Sequence, residues 1–232
     1  MPKPLAIAVA GAGRMGQAIA ASITTRPDLT LVGVWQRGEE LAPLVAAADV
    51  VIDFSLPDAT EAILKAVVDA GKPLVSGVSG LSEAQTELQG SVAERVALVY
   101  DRNMSLGVAV LERSVREAAA SLGTAFDVQI SEVHHVHKKD APSGTALKLG
   151  EAISESRGET GAESIEFNVE RRDEIPGDHE VVLSSGTEIL RFSHSVTTRQ
   201  VFVDGALRAA IWAADQPAGL YSMQDVLFGG RK

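Results

Sequence analysis

The stretch HHVHKKDAPSGT, residues 134–145, gathers three of the chain's five histidines and two lysines ahead of a Pro-Ser-Gly-Thr run. No histidine precedes it. Imidazole titrates near neutral pH and an ammonium is a fixed positive charge, so the segment combines an acid-base group with an anchor for an anion. Three kinds of site fit such a cluster. In the first, His134, His135 and His137 ligate a metal. Alternation along a strand, however, sends His134 to one face and the other two to the opposite face, and Lys138 and Lys139 repel a dication. No cysteine stands anywhere in the chain to complete the set, so no metal is expected. In the second, the segment is a polar strand end without a task, which leaves the lysines and the helix start unexplained. In the third it is an anionic-substrate site. APSGTALKLGEAI reads as a loop entering a helix, so backbone N–H groups around Ser143, Gly144 and Thr145 are free to meet an anion, with the Thr145 hydroxyl beside them. Lys138 nearby would hold a carboxylate, and a histidine would supply a proton.

A proton donor of this kind is what a hydride donor needs as its complement, and the start of the chain offers a place for one. AIAVAGAGRMGQAIAASI puts Gly11, Gly13 and Gly16 in G-x-G-x-x-G spacing between an apolar run and a helical segment. The first glycine permits a tight turn, the second lets backbone approach a pyrophosphate, and the third lets helix and strand pack closely. The next strand ends in VWQRGEE, where Gln36 can bond a ribose hydroxyl and Arg37 can pair with a 2′-phosphate; this reads as use of both NADH and NADPH, or as a preference for NADPH. The loops DFSLPDAT, SGVSG and DRNMS follow later strands, and small residues such as Ser76, Gly77 and Ser79 let backbone lie close to a flat ring.

Both sites require particular elements to carry them. Residues 5–10, 29–35, 49–55, 73–78 and 96–100 are short runs rich in Val, Leu and Ile, and segments of helical character separate them. That alternation predicts a Rossmann-like parallel sheet with helices on both faces over residues 1–104. Residues 105–123 then form a long amphipathic helix. The stretches AFDVQISEV, SIEFNVERR, HEVVLSS and TEILRFSHSV follow as strands, the last two flanking a Ser185-Gly186 turn. Residues 105–204 therefore read as a second, α+β domain with a mostly antiparallel or mixed sheet. The tail, 205–232, turns helical again and is expected to pack back on the first domain.

Composition sets outer limits. The 232 residues carry a net charge of -10, with 45% hydrophobic and 22% charged residues, as in an ordinary folded globule. Such acidity argues against general nucleic-acid binding, which needs a basic surface. The apolar run at the start is too short to span a bilayer and flows into the glycine turn, so no membrane association and a cytoplasmic location are expected.

The run EVHHVHKKDAPSGTA, together with GAGRMG, DFSLPDAT, SGVSGLS, RNMSLGV, IPGDHEV and FVDGALRAAIW, resembles the 4-hydroxy-tetrahydrodipicolinate (dihydrodipicolinate) reductase family over essentially the whole chain. The resemblance implies reduction of a cyclic dicarboxylate by NADPH or NADH in lysine and diaminopimelate synthesis. It implies His134 as proton donor and acceptor, Lys138 as a second proton donor, and His135, Gly144 and Thr145 as binders of substrate carboxylates. It places Gly11, Ala12, Gly13, Arg14, Met15, Gln36, Arg37, Gly77, Val78, Ser79, Asp101, Arg102, Asn103 and Met104 along the cofactor. It also implies a homotetramer built through the second domain. Two other functions fit the two-domain plan: a different NAD(P)-dependent amino-acid-pathway dehydrogenase, and a non-enzymatic regulator that senses NAD(P)H.

Overall fold

The computed structural model describes residues 3–162 and 164–229. Residues up to Met104, joined by those from Phe202 onward, form one compact unit, and Ser105–Val201 form another.

In the first unit β1 (Leu5–Ala10), α1 (Arg14–Thr24), β2 (Leu29–Trp35), α2 (Ala42–Ala47), β3 (Val50–Asp53), α3 (Thr60–Ala70), β4 (Leu74–Ser76), α4 (Glu83–Ala93) and β5 (Ala97–Tyr100) alternate along the chain. In the second, α5 (Leu106–Leu122) is followed by β6 (Asp127–His134), α6 (Gly144–Arg157), β7 (Ile165–Arg171), β8 (Asp178–Ser184) and β9 (Ile189–Ser195). The chain closes with α7 (Gln200–Ala213), β10 (Gly219–Tyr221) and α8 (Met223–Phe228).

The first sheet has the order β10-β5-β4-β3-β1-β2, and every pairing in it is parallel. Successive residues Ile7, Ala8, Val9 and Ala10 are all buried, so both faces of the central strand are covered. All strands point the same way, so the loops after β1 to β5 gather at one edge, where the order reverses between β1 and β3. Helical character was expected throughout the tail, and Gly219–Tyr221 departs from it by adding a sixth parallel strand beside β5. Three residues are too few to show a period, and this strand exists only through its pairing with Ala97–Val99.

The second sheet has the order β7-β6-β8-β9 and is mixed: β6 runs parallel to β7 and antiparallel to β8, and β8 runs antiparallel to β9. The β8–β9 hairpin closes over Ser185–Glu188, with the Ser185 N–H donating to the Glu188 carbonyl at 2.9 Å. Val128, Ile130, Val181 and Leu183 join Leu149 and Ile153 of α6 and Leu111 and Val115 of α5 in one core. That core packs against the inner face of β6. Among the described residues no helix is long and apolar enough to cross a membrane.

Gly11 and Gly16 make the turn after β1 possible. Gly11 adopts φ +104, and a Cβ there would lie 2.6 Å from the Phe54 carbonyl oxygen on the neighbouring β3 loop. A Cβ on Gly16 would lie 1.7 Å from the Gly11 carbonyl oxygen. Neither obstacle is a flexible side chain, so the backbone itself would have to move. Gly16→Ala should therefore destabilise the protein by about 1–3 kcal/mol and weaken NADH and NADPH together, read by urea denaturation and cofactor titration. Unchanged stability and affinity would contradict this packing.

Candidate active site

Along β6 the residues Val128, Ile130, Glu132 and His134 share the buried face, so a carboxylate and an imidazole continue an apolar stripe. Glu132 is 2% exposed, and donors and imidazole rings gather around its carboxylate. The Ser143 N–H donates to its two oxygens at 3.1 and 3.2 Å. The Arg171 guanidinium donates to Oε1 at 3.1 Å. His134 Nδ1 lies 3.5 Å from Oε2, close enough for charge interaction though its geometry is not that of a hydrogen bond. His179 Nε2 lies 3.8 Å from the same oxygen.

Register explains how these residues meet. In the β6–β8 pairing Glu132 stands opposite His179, and in the β6–β7 pairing His134 stands beside Arg171. The His134 and His179 rings pack edge to face with centroids 5.1 Å apart. His179 Nε2 is also 3.4 Å from the Ser143 hydroxyl, which caps α6 by accepting from the Ala146 N–H at 3.2 Å. The sequence singled out neither His179 nor Arg171; only the fold brings residues so distant in the chain to one carboxylate.

Burial pushes the His134 ring down to about 4; Glu132 opposes that shift, while Lys138 and Arg171 add to it. Burial likewise pushes His179 down to about 3, helped by His134, His194 and Lys138. Both rings are therefore neutral near pH 7. Glu132 on the Nδ1 side favours the tautomer with the proton there, which leaves Nε2 as the atom that exchanges a proton with a ligand.

β6 ends at His134, so the expected strand alternation of His134, His135 and His137 does not occur: His135 follows the strand and His137 lies in a turn. His135 is half-buried, with its Nδ1 unpartnered. His137 is exposed and pairs with Glu174 at 3.1 Å. Lys138 reaches Asp140 at 2.8 Å and keeps a partly open side chain. Partial burial raises the Asp140 carboxyl, but Lys138 and the backbone N–H groups of Asp140 and Gly144 outweigh it and hold the group below the ordinary range. Ser143 was expected as a free donor to substrate, yet it is 1% exposed, its N–H is held by Glu132 and its hydroxyl caps α6. It positions the helix start instead. Gly144 is half-buried and Thr145 is buried at the same start.

The expected cofactor residues all fall on the carboxyl edge of the parallel sheet: Gly11–Met15 after β1, Gln36 and Arg37 after β2, Gly77–Ser79 after β4, Asp101–Met104 after β5. Ser82, Ser105 and Ser143 cap their helices with side-chain hydrogen bonds, whereas α1 starts at Gly13 with no side-chain cap and no acid in its first turn. A Cβ on Gly13 would meet nothing within 4 Å. An uncapped helix start with open space before it fits a pyrophosphate. Gln36 bonds Glu39 through its N–H and its side chain at 3.1 and 3.0 Å, and Arg37 reaches Asp58 at 3.3 Å across exposed surface. Val78 and Met104 are buried, and Asp101 turns its carboxylate to the Asn103 and Met223 N–H groups. The side chains at these three positions are turned into the protein.

Glu132, His134 and His179 place ligand atoms within 4.8 Å of one another, as a metal site would. Arg171 and the Ser143 N–H already occupy the carboxylate, and two cations adjoin the group, so the set fits a hydrogen-bonding network better than a dication.

Two family models match the chain: the dihydrodipicolinate reductase N-terminus over residues 5–104 and the dihydrodipicolinate reductase C-terminus over residues 107–227. A 4-hydroxy-tetrahydrodipicolinate reductase of Caulobacter vibrioides is 40% identical over 253 aligned positions, covering 98% of each chain. One from Halorhodospira halophila is 42% identical over 206, covering 82% of this chain and 77% of that protein. Among solved structures, a dipicolinate-bound dihydrodipicolinate reductase from Paenisporosarcina sp. TG-14 shares the fold, with a TM-score of 0.81 at 21% identity, 97% of this chain and 100% of that one being covered.

Because His134 and His179 are held neutral below the ordinary value near 6.5, the unfolded chain binds protons that the folded one refuses as pH falls. Their contribution is intact above about pH 6.5 and is lost progressively toward pH 4 and 3, at up to about 1.4 kcal/mol per pH unit for each ring. Asp53, raised to about 6 by burial, works in the opposite sense below that pH. Removing one ring isolates its effect: His179→Asn should flatten the acid loss of stability seen in urea denaturation between pH 6.5 and 4. An unchanged slope would show that His179 is not buried neutral.

Proposed function

The chain belongs to the dihydrodipicolinate reductase family, and from that membership we propose that it reduces 4-hydroxy-tetrahydrodipicolinate with a nicotinamide cofactor in lysine and diaminopimelate synthesis. The observation that carries this reading is the buried Glu132–His134 pair, set beside Lys138 and the start of α6. The overall change adds one hydride and one proton to the substrate and releases one water. The nicotinamide, when bound, supplies the hydride.

The chain's own groups account for the rest. The glycine turn and the uncapped start of α1 hold the pyrophosphate. Lys138, Gly144 and Thr145 seat the substrate carboxylates, with His135 beside them. Nε2 of His134 exchanges the proton. Its ring is neutral in the free protein, and a dianion seated next to it raises its proton affinity, so the ring becomes an acid once substrate has arrived. Lys138 stabilises negative charge as it develops and is the second proton source. Arg37 meets the 2′-phosphate of NADPH, and Gln36 meets the ribose, so both cofactors are accepted. The protein acts in the cytoplasm as a homotetramer built through the second sheet. Its outer edge strand β9 presents Ile189, Arg191, Ser193 and Ser195 to solvent, which suits such an assembly.

The direct test follows NADPH and NADH absorbance with freshly generated 4-hydroxy-tetrahydrodipicolinate; absence of turnover with either cofactor would overturn the reading. His134→Gln should lower kcat roughly 100- to 10,000-fold with little change in KM, and Lys138→Ala should lower kcat and raise KM together. Cofactor affinity should hold in both. Near-normal turnover in His134→Gln, with loss in a His135 or His137 variant, would reassign the donor. Arg37→Ala should weaken NADPH more than NADH by about 1–3 kcal/mol, and equal losses would remove Arg37 from cofactor choice.

A further inference from the structure

Arg171 and Arg172 are neighbours in the chain, yet they are treated very differently by the fold. The Arg172 side chain is half exposed and pairs with Glu170 at 3.1 Å on the surface. That of Arg171 is only 20% exposed. Its Nη2 donates to Glu132 Oε1 at 3.1 Å and also to the Asp140 carbonyl. Its Nε donates to the Lys138 carbonyl at 3.3 Å, and its Nη1 to the Glu170 carbonyl at 2.8 Å. A single planar cation thus reaches the carboxylate that faces His134 and two carbonyls of the loop that carries Lys138. Burying a guanidinium is costly unless its donors are met, and here each of its three nitrogens has an acceptor.

Resting on the reading of His134 as proton donor and Lys138 as carboxylate anchor, we propose that Arg171 is the positioning residue that couples them. It ties the Glu132–His134 pair to the 138–140 segment so that proton and anchor keep one geometry. Two separable properties do this work. Its charge offsets Glu132 and so limits how strongly that carboxylate draws a proton to His134. Its fork pins the carbonyls of Lys138 and Asp140, which a lysine at the same place, with one compact ammonium, would not do. The charged and titratable groups facing His134 are Glu132 on its own strand, Lys138 and Asp140 on the following loop, Arg171 on β7 and His179 on β8.

Arg171→Gln, Arg171→Lys and the control Arg172→Gln separate these properties. The His134 titration is followed by the C2 proton resonance, assigned through His134→Gln, alongside kcat, KM for freshly generated substrate and thermal stability. Arg171→Gln should lower kcat/KM by about 10- to 100-fold and move the His134 titration to higher pH. Arg171→Lys should leave that titration near the wild-type value while raising KM. Arg172→Gln should change neither. An unmoved His134 titration in Arg171→Gln, whether activity is kept or falls with thermal stability, would overturn the coupling, as would a Lys variant indistinguishable from wild type in KM. If wild-type protein fails to turn over the substrate, the reaction assigned to the chain fails, while the titration still decides whether Arg171 acts on His134.

Discussion

A carboxylate sealed inside the second sheet is the constraint around which the candidate site is arranged. Glu132 has no access to water, and an ion in that position costs several kcal/mol unless its oxygens are met by donors. Two donors meet them, the Ser143 N–H leading into α6 and the Arg171 guanidinium on β7, and the imidazoles of His134 and His179 close in beside them at 3.5 and 3.8 Å. Each partner is thereby fixed in place by the same ion. Moving Ser143 would uncap α6, moving Arg171 would release the loop that holds Lys138, and moving His179 would open a gap beside His134. Fixed geometry of this sort is what a proton donor requires, since the donor must meet the substrate in one orientation.

The two compact units handle negative charge in opposite ways. In the first, the start of α1 is left without a cap, and its partial positive charge stands open to solvent for a pyrophosphate. In the second, the start of α6 is already occupied by the protein's own carboxylates: Glu132 at Ser143, with Asp140 near Gly144 and Lys138. On the proposed reading, a dicarboxylate arriving there would enter a field that internal acids have partly balanced. That balance explains how two lysines and three histidines can stand together in twelve residues without mutual repulsion dominating.

Local patterns in the chain gave away the first unit almost entirely. The run LAIAVA coincides with β1 because a strand buried on both faces needs nothing but apolar residues, LTLVGVW coincides with the half-buried edge strand β2, and the glycine spacing announces a turn that only glycine fits. β10 was hidden because three residues carry no period and their partner lies more than a hundred residues away. The site was legible only where it is contiguous. His134 and Lys138 stood out by type and spacing. His179 and Arg171 were illegible because their roles follow from strand register, which no local pattern records. Ser143 was read as a ligand donor because a helix start in isolation has free N–H groups; the carboxylate that takes one of them arrives from another strand.

The central claim is that the charge of Glu132, not merely its bulk, prepares His134 to handle a proton. Glu132→Gln keeps the shape of the side chain and removes that charge, so steady-state turnover of freshly generated 4-hydroxy-tetrahydrodipicolinate by this variant, with thermal stability and cofactor affinity recorded alongside, tests the claim most directly. The account requires kcat to fall by about 100-fold or more while cofactor affinity stays as in the wild type. A folded Glu132→Gln protein that turns over at the wild-type rate would contradict it.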